Sequence, residues 1–266
     1  MTAPPWRKSN THSANAPASS SGSKLGSATG GKILRPQFNI VYGPEGVGKT
    51  TLASTIPKAI WIDNELGSGN VDVTRYPLSD NSFTSICDAM RDIIANGAGT
   101  YEHIVIDSVS ALEVAATEHV VRQNDWQSIE DPGWSKGQIK VAEMLEELIK
   151  IIRTATTKGF SVTMLAHAHI SSFKNPSGED YDTDTIRADK RFSAKLFQNA
   201  DNVGFMNFAD LTSKKKGELR AKAVATDGIK LHMNHSASFY AKNRLDIEDP
   251  IVVERNTTWP LVRKTT

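Results

Sequence analysis

The stretch Gly43-Pro44-Glu45-Gly46-Val47-Gly48-Lys49-Thr50 fits the pattern G-x-x-x-x-G-K-[ST] at every fixed position. Residues 37–42 before it, Gln-Phe-Asn-Ile-Val-Tyr, predict a short buried strand, and residues 49–54 after it predict the start of a helix. This pattern binds phosphate when it lies between a strand and a helix, which is the context predicted here. The sequence therefore predicts a nucleoside-triphosphate site formed by this stretch together with Thr51.

The residue types of this loop suit phosphate chemistry. Glycines allow backbone N–H groups to turn inward around the phosphates, and the N-terminus of the following helix adds a favourable dipole. Lys49 would reach the β- and γ-phosphates, and the hydroxyl group of Thr50 would hold Mg²⁺. The alternative interpretation is a glycine-rich turn between a strand and a helix that binds no ligand.

Length and composition exclude several classes of protein. The chain has 266 residues, 39% of them hydrophobic, which suffices for one large α/β domain or two small ones. Its formal net charge of +1 argues against a globally basic nucleic-acid binder, so any such contact must come from local patches. The single cysteine, Cys87, excludes an intramolecular disulfide and a cysteine-rich zinc site. Without a membrane-spanning apolar run or a secretory signal, we expect a cytoplasmic protein.

Residues 1–34 differ in composition from the rest of the chain. They are rich in Ser, Ala, Thr, Pro and Gly, and they contain four basic residues and no acidic one. Such a segment buries too little apolar surface to offset its ordering entropy, so we predict a disordered basic tail. It would either touch nucleic acid electrostatically or have no specific role. Residues 35–266 are predicted to form a single domain.

Polar residues follow three further predicted strands. These strands are expected at residues 59–63, 101–107 and 159–166. Because ligands bind at the carboxyl ends of strands in open α/β sheets, the residues at these ends should meet. Glu65 would polarise a water attacking the γ-phosphate, Asp107 would hold the Mg²⁺ shell through water, and His167 would sense the γ-phosphate. The alternatives are a surface carboxylate, a strand-end acid and a strand-end histidine with only structural roles.

Helical periodicity predicts the elements between these strands. An amphipathic helix is expected at residues 82–95, further helices at 109–121 and, with a basic face, at 188–199, and a longer helix ends near residue 157. Ser108 would cap the second of them. In the loop before the long helix, Trp126 and Trp134 would either fasten the loop to its own domain or stack on bases or a neighbouring subunit.

The C-terminal third carries three more features. Residues 170–187 are polar and predict a long loop, whose mixed charge does not by itself indicate DNA. The run Lys214-Lys215-Lys216-Gly217 predicts an exposed hairpin tip. Lys242-Asn243-Arg244 would place two cations on one face of a strand.

In this order, the segments resemble the RecA/RadA recombinase superfamily of P-loop ATPases, and more narrowly the small phage RecA-like ATPases classed with single-strand annealing recombinases. The resemblance covers residues 37–254 and rests on Gly43-Pro44-Glu45, Ile62-Asp63-Asn64-Glu65 and the segment 105–112. It implies an α/β fold: a RecA-like core whose mostly parallel twisted sheet is flanked by helices, with a C-terminal antiparallel hairpin extension.

The resemblance also implies roles for particular residues. Glu65 corresponds to the catalytic base, and His167 corresponds to the polar sensor at the end of the fourth strand. The segment 170–187 would be the DNA-binding loop, although it is richer in acids than such loops usually are. Lys242 and Arg244 resemble the Lys-Asn-Arg motif that reaches a neighbouring subunit's nucleotide, as arginine fingers do.

The expected activity is Mg²⁺-dependent, DNA-stimulated ATP hydrolysis in recombination or annealing. A homo-oligomer with intersubunit ATP sites would act on single-stranded DNA, with other recombination or replication proteins as partners, in the host cytoplasm if the chain is phage-encoded. ATP rather than GTP follows from the resemblance and from the lack of an Asn-Lys-x-Asp motif. The alternatives are a DNA-annealing or scaffold protein with little turnover, and an ATPase that serves replication or packaging proteins.

Overall fold

The computed structural model describes residues 35–176, 178–209, 211–213, 222–224 and 228–261. The helices are α1 (Lys49–Ala53), α2 (Phe83–Asn96), α3 (Val109–Gln123), α4 (Lys136–Thr157) and α5 (Lys190–Asn199). The strands are β1 (Phe38–Gly43), β2 (Ala59–Asp63), β3 (Thr74–Arg75), β4 (His103–Asp107), β5 (Ser161–Phe173), β6 (Tyr181–Ile186), β7 (Asn202–Phe208), β8 (Leu211–Ser213), β9 (Lys222–Val224), β10 (Ile229–His232), β11 (Lys242–Asn243) and β12 (Ile251–Val253). The predicted tail, 1–34, and the predicted lysine-rich tip, 214–217, lie outside the described residues.

Among the described residues, ten strands form one sheet in the order β12-β10-β7-β1-β5-β4-β2-β3, with β11 paired to β7 and β6 paired to β5. β1 lies between β5 and β7 and is parallel to both, and β4, β2 and β3 continue the parallel part. The C-terminal strands β10, β11 and β12 are antiparallel, and β8 and β9 form a separate antiparallel pair. The predicted fold class is confirmed.

Two apolar cores lie on the two faces of the sheet, and β1 contributes to both. All six of its residues are buried, and they alternate between the faces because strand side chains have a period of two. Ile40 and Tyr42 belong to the core that α2, α3, α4 and α5 cover. Val41 belongs to the other core, which includes Leu52 of α1 and Trp259 of the C-terminal segment. The strand that leads into the phosphate loop is therefore fixed from both sides.

The helix predictions are confirmed to within a few residues at their ends. α2 begins after Ser82, whose hydroxyl group accepts a hydrogen bond from the backbone N–H of Ser85 at 3.2 Å. Trp126 fastens its loop, because it packs against the helix-covered core and lies 5.0 Å from Nζ of Lys140. Trp134 does not, since it is 94% exposed. No helix in the described part of the chain is long and apolar enough to cross a membrane.

The prediction of a loop at residues 170–187 is wrong. β5 continues beyond the sheet to Phe173 and pairs antiparallel with β6, so the segment is a β-hairpin. The overlooked signal is the alternation Tyr-Asp-Thr-Asp-Thr-Ile of residues 181–186, because a period of two favours a strand even when its residues are polar. Phe173 and Tyr181 face each other near the turn, with ring centroids 5.1 Å apart.

Candidate nucleotide-binding site

The phosphate loop has glycine where a side chain would either clash with a neighbour or strain the backbone. A Cβ atom at Gly43 would lie 2.0 Å from the carbonyl oxygen of Met206 in β7. The last residue of β1 therefore packs directly against the backbone of β7. Gly46 and Gly48 have φ angles of +74° and +95°, a region that favours glycine. α1 starts directly after Gly48, at Lys49. The strand–loop–helix context that the motif requires is therefore present.

Lys49 is turned into this loop. Its Nζ donates hydrogen bonds to the carbonyl oxygens of Gly43 and Pro44 at 2.9 and 2.8 Å, and the residue is buried. Burial lowers the pKa of the ammonium group, and nearby carboxylates, Asp107 first, oppose that effect. Two neutral carbonyl groups compensate a buried cation poorly, so the loop presents positive charge to an anion such as phosphate.

Thr50 and Asp107 meet beside the loop. Oγ1 of Thr50 donates a hydrogen bond to Oδ2 of Asp107 at 3.1 Å, which joins the first turn of α1 to the end of β4. Burial raises the pKa of Asp107 to about 6; the Thr50 hydrogen bond opposes the rise, and the charges of Asp63 and Glu65 add to it. A positive ion at this carboxylate would offset the energetic penalty of burying its charge.

The donor set of this pair fits Mg²⁺. A hydroxyl and a carboxylate supply hard oxygen ligands, and Mg²⁺ in phosphate sites is held by one or two carboxylates together with substrate phosphates and water. Among the described residues, no group of three or more His, Cys, Asp or Glu side chains is arranged to hold a metal ion. The hydroxyl group of Thr50 and the carboxylate of Asp107 are a donor set that suits Mg²⁺ bound together with a nucleotide.

Glu65 and His167 lie close together on the side of the sheet where the parallel strands β1, β2 and β4 have their carboxyl ends. Nε2 of His167 is 3.3 Å from Oε1 of Glu65. The backbone N–H groups of Asn64 and Glu65 donate to the carbonyl oxygen of Asp107 at 3.1 and 3.2 Å, so the turn after β2 is fastened to the end of β4. Nδ1 of His167 is buried without a hydrogen-bond partner in the described part of the chain. The structure brings the predicted strand-end residues together.

Two further residues belong to this site that the sequence did not single out for it. Ser108 occupies the N-cap position of α3, but its side chain makes no cap hydrogen bond and donates instead to Oε2 of Glu65. Asp63 is buried directly across from Asp107 in the β2–β4 register. Its carboxylate accepts hydrogen bonds from the backbone N–H groups of Gly67 and Ser68, both at 3.2 Å. The sequence signal that would have identified Asp63 is that it ends an apolar predicted strand, residues 59–63, as Asp107 ends another.

Lys242 and Arg244 lie away from the phosphate loop of their own chain. β11 pairs with Val203 at the start of β7, whereas the phosphate loop follows the far end of β1. Nζ of Lys242 donates to the carbonyl oxygen of Ala200 at 2.5 Å, and Nη1 of Arg244 donates to Asp201 at 2.9 Å. Within one chain these cations bind the region after α5, so a contribution to hydrolysis requires a neighbouring subunit.

The raised pKa of Asp107 yields a prediction for the protein without nucleotide and metal. Burial raises the pKa of Asp107 from 3.8 to about 6, so the folded state favours the neutral carboxyl group. The free energy of unfolding therefore falls as pH rises from 3.8 through about 6. Asp107→Asn should raise the free energy of unfolding at pH 8 by up to about 3 kcal/mol and should have little effect near pH 4. Urea unfolding at pH 4, 6 and 8 measures both values.

The exposed Asp72 provides the control, since Asp72→Asn should change stability little at any of these pH values. An Asp107→Asn protein no more stable than the wild type at pH 8 would contradict the buried-charge account of this carboxylate.

Comparison with known proteins identifies the family. Residues 35–245 match the family model described as an AAA domain. No curated protein sequence matches the chain. Among solved structures, it is similar to one titled "Crystal structure of the RadB recombinase", with a TM-score of 0.42, 13% identity, and coverage of 74% of this chain and 80% of that chain. A similarity of that size carries no argument about function. Because the AAA domain match spans most of the 266 residues, this chain belongs to the AAA domain family.

Proposed function

We propose that this protein is a P-loop ATPase that hydrolyses ATP with Mg²⁺ and acts on single-stranded DNA as a homo-oligomer, in recombination or annealing. The observation that carries the proposal is that Lys49, Asp107, Glu65 and His167, which lie in four separate parts of the sequence, meet at one edge of the sheet. Membership of the AAA domain family supports the nucleotide chemistry.

The phosphate loop would bind the triphosphate. Lys49 would exchange its two carbonyl partners for oxygens of the β- and γ-phosphates, which provide the negative charge that the carbonyl groups lack. Thr50 and Asp107 would hold Mg²⁺, which when bound would neutralise negative charge on the phosphate oxygens. In this proposal Lys49, Thr50 and Asp107 bind and orient the substrate, and a different residue activates the water.

In this proposal, Glu65 would activate the attacking water. Its two carboxylate oxygens are held by His167 and by Ser108, so its orientation is fixed before a substrate binds. The side chain is 41% exposed, which leaves it accessible to an attacking water. As a general base, Glu65 would accept the proton of that water as the oxygen attacks the γ-phosphate.

His167 lies where the β5–β6 hairpin begins. Its backbone pairs with β1 at Gly43, the first residue of the phosphate loop, and its side chain contacts Glu65. Beyond His167 the same strand continues into the hairpin. A change at the γ-phosphate that moves His167 would therefore also move the hairpin, which is how a sensor would couple hydrolysis to DNA.

One face of the hairpin suits single-stranded DNA. Directly opposed residues share a face, so His169, Ser171 and Phe173 lie with Thr185, Thr183 and Tyr181. Asp182 and Asp184 oppose Ser172 and Ile170 and therefore lie on the other face. Asp182 and Asp184 are therefore separated from the aromatic face, on which bases can stack.

The first test of the proposal is Glu65→Gln. The amide keeps the size of the side chain but cannot accept the proton, so we expect turnover to fall by about a hundredfold or more while nucleotide affinity stays within about twofold. Phosphate release and equilibrium binding of ATP measure the two effects. Glu102→Gln is the control, because Glu102 precedes β4 at the opposite edge of the sheet and should leave both unchanged. Retained hydrolysis in Glu65→Gln would refute the role of this residue.

The second test concerns the hairpin. Removing both rings with Phe173→Ala and Tyr181→Ala should weaken single-stranded DNA binding by about tenfold or more, because base stacking contributes about 1–3 kcal/mol per base. Fluorescence anisotropy with a labelled oligonucleotide measures the affinity. Trp134→Ala is the matched control, since this ring is exposed on a different loop. If Trp134→Ala weakens binding and the hairpin variant does not, the DNA site is not on the hairpin.

The third test asks whether Arg244 acts on a neighbour's nucleotide. Lys49→Ala removes the phosphate contact, and Arg244→Ala removes the guanidinium, so each variant alone should hydrolyse ATP poorly. In a mixed oligomer, a subunit with an intact loop can lie beside one with an intact Arg244, and an equal mixture should recover activity at about a quarter of the sites.

Arg35→Ala is the control for stability, because Arg35 also pairs with Asp201, at 3.3 Å, and its loss should not reduce hydrolysis. Normal hydrolysis by Arg244→Ala alone in an assembled oligomer, or no recovery on mixing, would exclude the trans role.

A further inference from the structure

Arg187 connects three parts of the nucleotide site, although the sequence gives no indication of it. It follows the last residue of β6 directly. Its backbone N–H donates to the carbonyl oxygen of His167 at 2.8 Å, and its carbonyl oxygen accepts a hydrogen bond from Oγ of Ser110 at 3.1 Å. The backbone of Arg187 is thus fastened both to His167 in the middle of β5 and to the first turn of α3.

The side chain of Arg187 extends from this fixed backbone to the phosphate loop. Its Nη1 lies 3.3 Å from Oε1 of Glu45, the third residue of the loop. A cavity of about 580 Å³ lies beside it and is also lined by Glu65, Ser110 and His169. A guanidinium group is therefore held at the rim of the phosphate loop, in the same cavity as the candidate general base.

The ion pair between Arg187 and Glu45 is weak enough to be exchanged. The two side chains are 64% and 72% exposed, and pairs of this kind contribute little stability because solvent screens them. A phosphate group carries more charge than a carboxylate and offers oxygens that match the planar fork of a guanidinium group. A terminal phosphate within reach of Arg187 would therefore compete successfully with Glu45.

We propose that Arg187 is a phosphate-binding residue of its own chain, which leaves Glu45 and binds the terminal phosphate when ATP, but not ADP, occupies the loop. This inference rests on the proposed function of the site and adds the residue that distinguishes the two nucleotides. Because β6 ends immediately before Arg187, the exchange of partners also links the state of the nucleotide to the hairpin.

Nucleotide binding tests this without relying on turnover. The probes are ADP and a non-hydrolysable ATP analogue with an imido-linked terminal phosphate, each with Mg²⁺ and measured by calorimetry. Arg187→Ala should weaken binding of the analogue by about tenfold or more and binding of ADP by less than about twofold, since a charge-assisted hydrogen bond to the terminal phosphate is lost. Arg187→Lys should restore part of the loss. Arg191→Ala is the matched control, because Arg191 of α5 pairs with Asp189, the N-cap residue of that helix, and it should change neither affinity.

A second variant separates phosphate binding from a merely structural ion pair. Glu45→Gln removes the competing carboxylate and should strengthen binding of the analogue by up to about fivefold. If Arg187 and Glu45 only fasten the loop, Glu45→Gln and Arg187→Ala should weaken both nucleotides alike, which would overturn the inference. This comparison also serves if Arg187→Ala proves unstable in thermal unfolding.

Failure of this inference is distinguishable from failure of the proposed function. A wild-type protein whose ratio of analogue to ADP affinity exceeds that of Arg187→Ala, yet which never hydrolyses ATP, would support the role of Arg187 and refute the ATPase. A wild-type protein that hydrolyses ATP while Arg187→Ala keeps the same ratio of analogue to ADP affinity would refute the role of Arg187 alone. If the wild type binds neither nucleotide, both are refuted.

Discussion

The carboxylate and the carbonyl group of Asp107 join the separate parts of the nucleotide site. The carboxylate accepts a hydrogen bond from Thr50 at the start of α1, and the carbonyl oxygen accepts the backbone N–H groups of Asn64 and Glu65. One residue at the end of β4 thereby fixes both the phosphate-loop helix and the turn with the candidate base. The position carries a penalty, because burial raises the pKa of Asp107, with Asp63 directly opposite. A site with this charge arrangement is suited to bind a cation.

β5 connects the buried sheet to the surface on which we place DNA. Its first half is buried between β1 and β4, and its second half projects as part of a hairpin. His167 lies at the transition, and Arg187 returns the chain to the same point after β6. His167 contacts Glu65 and Arg187 contacts Glu45, so the hairpin has two physical connections to the candidate nucleotide site.

Sequence reasoning predicted the strands, the helices and the positions of the strand-end residues where these depend on local pattern. The phosphate loop has a fixed spacing, and apolar strands that end in acids or histidine indicate the carboxyl edge of a parallel sheet. It failed where polar residues form regular structure, as at 181–186, since composition indicated a loop and only the alternation indicated a strand. Ser108 was expected to cap a helix, because nothing local shows that Glu65, 43 residues earlier, lies within reach of its hydroxyl group.

The sequence by itself determined the fold class, the phosphate loop and the set of polar residues at the strand ends, because each of these follows from spacing along a single segment. Only the tertiary structure decided which of those residues touch one another. It brought Glu65 to His167 and Arg187 to Glu45, pairs separated by 102 and 142 residues, and it kept Lys242 and Arg244 at the opposite edge of the sheet. Strand order fixes these distances, and it arises from how the strands pack against the helices, which no single segment encodes.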